Sequence, residues 1–229
     1  MPRLTFHGHS CFVLESNDGT TLLIDPFLTG NPIADIGPGD LTRVDYVLFS
    51  HGHEDHIGDG FEIAQRTGAM VVSTFEIVSF AQQVKGIENA HPLHIGGGHD
   101  FAVGRIKMTP ALHGGAVAGD DTGQFTTVPG GFLITLDGKT VYHAGDTALI
   151  TDMQLLKGQV DVACLPIGDN FTMGPDDAVK AVAMIEPRTV IPMHYNTFDI
   201  IAQDPRAFAR SVGASARVEI LEPGQSYEF

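Results

Sequence analysis

Basic residues are scarce. Thirteen Lys and Arg stand against 28 Asp and Glu in 229 residues, a formal net charge of −15. A surface of that sign repels phosphate backbones, which argues against general nucleic-acid binding. Cysteine is nearly absent. Cys11 and Cys164 lie far apart in apolar runs, so two buried free thiols are expected and no disulfide framework. No apolar run reaches the roughly 18 residues that suggest a membrane span. The opening Met1-Pro2-Arg3-Leu4-Thr5-Phe6 has neither the apolar stretch nor the small-residue cleavage site of a signal peptide, so a cytoplasmic location is expected. Linkers, low-complexity tracts and repeats of roughly 20–50 residues are missing as well. Hydrophobic residues make up 43% of the chain, ample for one domain or two tightly packed halves.

The order of local patterns suggests strands first and helices after, twice over. Residues 4–7, 11–15, 21–25 and 44–49 read as strands, with Asn17-Asp18-Gly19 as a turn. Helices are expected over 59–67 and 75–85, with a short strand at 70–73 between them. Strands follow at 100–103 and 105–111, then a hairpin of 131–136 and 140–143 around Asp137-Gly138. Residues 147–156 read as a helix and 160–166 as a buried strand. The last third alternates: helix 175–185 opening on Pro175, strand 189–193, helix 205–212, strand 218–221. Two packed sheets with helices outside would satisfy this order.

Against that background, His51-Gly52-His53-Glu54-Asp55-His56 stands out. Three imidazoles and a usable carboxylate follow directly on an apolar strand. Imidazole nitrogen and carboxylate oxygen are the donors that zinc and similar divalent ions take. His51 and His53 are two apart, so an extended segment can turn both to one side. Four donors in so short a loop cannot all serve one tetrahedral ion comfortably. Two ions about 3.5–4 Å apart, a known hydrolytic device, would use them better. His113, Asp146 and His194 sit at or just beyond other strand ends and could complete the set.

With these residues in view, the whole chain resembles the metallo-β-lactamase superfamily. The likeness rests on the H-x-H-x-D-H segment, His113, Gly145-Asp146-Thr147 and the closing His194. More narrowly it is similar to small stand-alone metal-dependent hydrolases related to ascorbate-6-phosphate lactonase. The marks are Gly8-His9-Ser10-Cys11-Phe12, Ile24-Asp25-Pro26-Phe27 with Asn31-Pro32, and Gly168-Asp169-Asn170-Phe171-Thr172-Met173-Gly174. The resemblance implies an α/β fold of the α+β type, the four-layer αββα sandwich, as a single domain over 1–229. Its two pseudo-equivalent halves are expected to divide near 115–135.

The resemblance also implies roles. His51, His53 and His113 would hold one ion; Asp55, His56 and His194 the other; Asp146 would bridge them beside a bridging hydroxide. Zinc is the leading expectation, with manganese or iron compatible. The implied activity is dinuclear metal-dependent hydrolysis of a small, anionic ester, lactone or phosphodiester. Two divalent ions, two aspartates and a hydroxide sum to about +1, which attracts an anionic group despite the acidic surface. Asp55 would also orient the nucleophile. Asp25 is expected to hydrogen-bond the histidine loop from behind. His9 is expected near the site as partner or substrate contact, and Asn170 on a substrate-side loop. His91, His94 and His99 are expected in a solvated loop, and His143 as a packed strand histidine. The partner is thus a small-molecule substrate, with no membrane; a homo-oligomer is compatible. The same donors would also suit an iron-dependent redox member of the superfamily or a non-catalytic metal- or ligand-binding protein.

Overall fold

A computed structural model describes all 229 residues. The chain forms two seven-stranded sheets. The first holds β1 (Arg3–Phe6), β2 (Phe12–Glu15), β3 (Thr21–Ile24), β4 (Tyr46–Leu48), β5 (Met70–Thr74) and β6 (Ala90–Leu93). The second holds β7 (Gly98–Phe101), β8 (Gly104–Pro110), β9 (Gly130–Leu136), β10 (Lys139–His143), β11 (Val162–Pro166), β12 (Thr189–Met193) and β13 (Arg217–Val218). The last strand, β14 (Ser226–Glu228), returns to pair antiparallel with β1 at the edge of the first sheet. Each sheet begins antiparallel and turns parallel, at β3–β4 in the first and β10–β11 in the second.

Alternation along the strands explains the layering. Leu14, Leu22, Ile24 and Leu48 join Ile106, Met108, Phe132 and Ile134 in the larger core. Val13, Leu23, Val47 and Val71 belong to a second cluster with residues of α2 (Gly60–Thr67) and α3 (Phe75–Gln83), among them Phe61, Ile63, Ile77 and Phe80. The second sheet is covered by α4 (Pro175–Ile185), which buries Ala178, Ala181, Val182 and Ile185, and by α5 (Pro205–Val212). Both helices start with Pro in the first turn, and Asp204 caps α5 by accepting the Arg206 N–H. Helix, sheet, sheet, helix is the expected αββα arrangement. No helix is long and apolar enough to cross a membrane.

Several local expectations are corrected. Residues 147–156 are not an α-helix; only Thr151–Leu156 coil, as a 3-10 turn. The first residues are tied elsewhere: Leu112 N–H donates to the Thr147 hydroxyl, and Ala148 N–H to the Leu112 carbonyl. His91 and His99 are not in a solvated loop. They lie in β6 and β7, with ring centroids 4.3 Å apart across the open edge of the sandwich. The change of sheet falls between β6 and β7, whereas the glycine-rich stretch near 115–135 joins β8 to β9 and runs into β9, within the second sheet. That stretch folds back towards the histidine loop, where Ala118 N–H donates to the Gly52 carbonyl at 2.7 Å.

Candidate metal centre

Strand ends from both sheets deliver the site. β4 runs out through Phe49 into His51 and His53, and the next turn, α1 (Glu54–Ile57), carries Asp55 and His56. β8 leads to His113, β10 to Asp146 and β12 to His194. His9 comes from the turn joining β1 to β2, and Asp25 follows β3. Gly52 is required between the two histidines, because a Cβ there would overlap the Ala116 carbonyl oxygen. Asp25, His9 and His194 hold φ of 46°, 57° and 54°. Such left-handed backbone costs about 1 kcal/mol or more at a non-glycine residue and tends to collect at functional sites.

The donors converge in adjoining groups. Ligand atoms of His51, His53 and His113 lie within 4.8 Å of one another, as do those of His9, Asp55, His56 and His194, and those of His51, His56 and Asp146. His51 Nε2 and His113 Nε2 approach His53 Nδ1 at 3.0 and 3.2 Å. A tetrahedral ion with bonds of about 2.0–2.1 Å needs donors about 3.3 Å apart, close to this spacing. Asp146 reaches His56 Nε2 at 3.2 Å, His194 Nε2 at 3.0 Å and His113 Nε2 at 3.5 Å. Yet His56 Nε2, Asp146 Oδ1 and both His194 ring nitrogens are buried without an aligned hydrogen-bond partner. Orphaned buried polar atoms cost about 1–3 kcal/mol each. Donor chemistry, spacing and orphaned atoms all fit divalent metal.

Charge is distributed to match. Burial, with His56 nearby, pushes His51 well below its ordinary value. Burial also lowers His113, and it outweighs the Asp55 contact in taking His9 down to about 4. These imidazoles are neutral, as metal ligands must be. Burial opposes ionisation of Asp146, but His56 and His194 outweigh it and hold the carboxyl well below the usual range. Burial likewise opposes a proton on His194, and Asp146 and Asp55 overcome it, raising His194 to about 9.

The residues behind the site are equally specific. Asp25 is fully buried. It accepts the Ser50 N–H at 2.8 Å and the Ser50 hydroxyl at 2.6 Å, and meets His56 Nδ1 at 2.8 Å. A carboxylate on the far nitrogen of a histidine fixes its tautomer and raises its basicity. Asp25→Asn is therefore expected to weaken zinc binding by about 10–100-fold, read by chelator competition. His9 Nε2 meets Asp55 at 3.2 Å and Nδ1 meets the Thr197 hydroxyl at 2.8 Å. Ser50 and Thr197 had no sequence signal, since their roles come from contacts across the fold. Asn170 is exposed, with φ 47°, and makes no side-chain hydrogen bond to the cluster. His143 is a satisfied strand histidine, paired with the Ser10 carbonyl at 3.0 Å. Glu54 is exposed.

Comparison with known proteins agrees with this architecture. Residues 3–194 match the beta-lactamase superfamily domain. A UPF0173 metal-dependent hydrolase of Desulforamulus reducens is 51% identical over 97% of this chain and 98% of that protein. One from Bacillus cereus is 49% identical over 98% of each. Among solved structures, Igni18, a metallo hydrolase of the hyperthermophilic archaeon Ignicoccus hospitalis, is 38% identical with a TM-score of 0.87, covering 100% of this chain and 99% of that one. The chain thus belongs to the beta-lactamase superfamily and, within it, to the family of UPF0173 metal-dependent hydrolases.

Proposed function

We propose that the protein is a metal-dependent hydrolase with a dinuclear centre that cleaves a small ester, lactone or phosphodiester. The observation that carries this is the convergence of His51, His53, His113, Asp55, His56, His194 and Asp146 from both sheets, with unpartnered buried atoms among them. His51, His53 and His113 would hold one ion, and Asp55, His56 and His194 the other, with Asp146 between. Bound divalent ions supply Lewis acidity and bring the pKa of a water towards neutrality.

The chain's own residues do the rest. Asp55 is 33% exposed at its side chain and His113 13%, against 0–2% for His56, His194 and Asp146. The site therefore opens on the Asp55 and His113 sides, where a substrate enters. Asp55 faces that opening and is kept ionised by His194 and His9 against the effect of burial. Its carboxylate can accept a hydrogen bond from the O–H of an attacking water and orient it. Asp25 and Thr197 hold His56 and His9 in place.

The test is a panel of esters, lactones and phosphodiesters offered to protein loaded with zinc, manganese or iron. Turnover of at least one class is expected, and turnover of none would overturn the reading. His53→Ala is expected to lose both bound metal and turnover, because His53 Nδ1 is the atom shared by the three-imidazole group.

A further inference from the structure

One side of the site is bordered by an aromatic pair. Phe198 packs against His9 with centroids 6.0 Å apart and against Phe27 at 6.4 Å, while Phe27 lies 5.6 Å from His9. His9 in turn meets Asp55 at 3.2 Å, so this aromatic wall borders the exposed carboxylate. Phe27 is buried, but Phe198 leaves 41% of its surface in solvent. Large apolar side chains left in water beside a polar cluster mark a surface that takes an apolar group.

What the rim lacks points the same way. No Lys or Arg forms a salt bridge or side-chain hydrogen bond with any of the seven donors or with His9; the arginines and lysines that do make salt bridges pair with carboxylates elsewhere, such as Arg3 with Glu15 and Lys139 with Asp161. A second anionic group on the substrate, away from the reacting bond, would find no cation among the residues that contact the donors; Lys85, beside Gly119, lies over the Phe80 ring instead. Desolvating that group without a partner is unfavourable.

We infer that the substrate's non-reacting part is an apolar alkyl or aryl substituent seated on Phe198, with Phe27 packed behind it, and that Phe198 sets this preference. The inference rests on the hydrolytic reading of the site, and its test separates the two. Hydroxamates from acetohydroxamate to octanohydroxamate carry one metal-binding head and a lengthening tail. Binding to the zinc-loaded protein, measured by calorimetry, is expected to tighten about two- to fourfold per added methylene until the wall is covered. Phe198→Ala is expected to flatten that series, read as the ratio of octanohydroxamate to acetohydroxamate affinity within each variant; Phe198→Leu retains most of the slope. A flat series in the parent protein, or tighter binding of a phosphonate-tailed hydroxamate than of its alkyl counterpart, overturns the inference.

A readout free of metal is available because the chain contains no tryptophan. Phe198→Trp places a single emitter in the wall. Its emission is expected to move to the blue with octanohydroxamate and not with acetohydroxamate, with or without zinc. No shift overturns the apolar wall. A shift that zinc never strengthens supports the wall and counts against the metal reading.

Discussion

Asp146→Asn is expected to reduce hydrolysis by about 10³-fold or more and to lower bound metal below the parent's content. Asp146 is the only carboxylate within 3.5 Å of His56, His194 and His113 at once. It is 2% exposed, so no solvent replaces what it does. The amide keeps the shape and removes the charge. If bound metal contributes several kcal/mol of transition-state stabilisation, losing the anion that faces three of its proposed ligands forfeits about 4 kcal/mol, which is three decades in rate. Steady-state kinetics and metal analysis of the purified variant check this. Full activity in Asp146→Asn would remove Asp146 from the site's chemistry altogether. A parallel loss in thermal stability is expected in the metal-free form, because His56 and His194 lose the anion that offsets their burial.

Much of this site is legible in local sequence. The H-x-H-x-D-H segment is dense enough to read alone, and each remaining donor stands at or near the end of a strand with a clear apolar pattern. α4 and α5 are readable too, from Pro175 and Pro205 in their first turns. What escapes reading is decided by partners distant in the chain. β6 contains His91 and Pro92 in only four residues, and is a strand only because β5 pairs with it at the sheet edge. β14 is three residues long and exists through β1, more than two hundred residues earlier. Residues 147–150 lose their helix to hydrogen bonds with Leu112. His9 joins the donors through a left-handed turn whose carbonyl takes the His194 N–H at 2.7 Å, a contact between opposite ends of the chain. The aromatic wall is hidden for the same reason, since Phe27 and Phe198 meet only in space.

Removal of metal is expected to abolish turnover and to lower the melting temperature by about 10 °C, with zinc restoring both. An ion bound a thousandfold above its dissociation constant stabilises the folded state by about 4 kcal/mol, and a chain of this size shifts by about 2–4 °C per kcal/mol. The effect also has a predicted pH dependence. Without metal, His194 keeps its proton to about 9, above its ordinary 6.5. A group raised in this way contributes stability that is fully present below its unfolded value and is lost as pH rises through the folded one. Asp55 and Asp146 are depressed, so their contribution is present above the ordinary carboxylate range and is lost in acid. The metal-free protein is therefore weakened at both ends, and between 6.5 and about 9 it progressively loses the stabilisation from protonated His194. A divalent ion competes for the nitrogen that holds this proton, so zinc binding near neutral pH must release it. Zinc affinity is then expected to climb with pH by up to about tenfold per unit for each proton displaced, the His194 share ending near 9 and His56, raised against burial by Asp146 and Asp25, adding to the climb. The gap in melting temperature between loaded and metal-free protein should widen over the same interval. Chelator competition across that range, with proton release followed in weakly buffered solution, tests both. A pH-independent affinity would mean that the ion displaces no proton from His194, and would remove His194 from its proposed ligands.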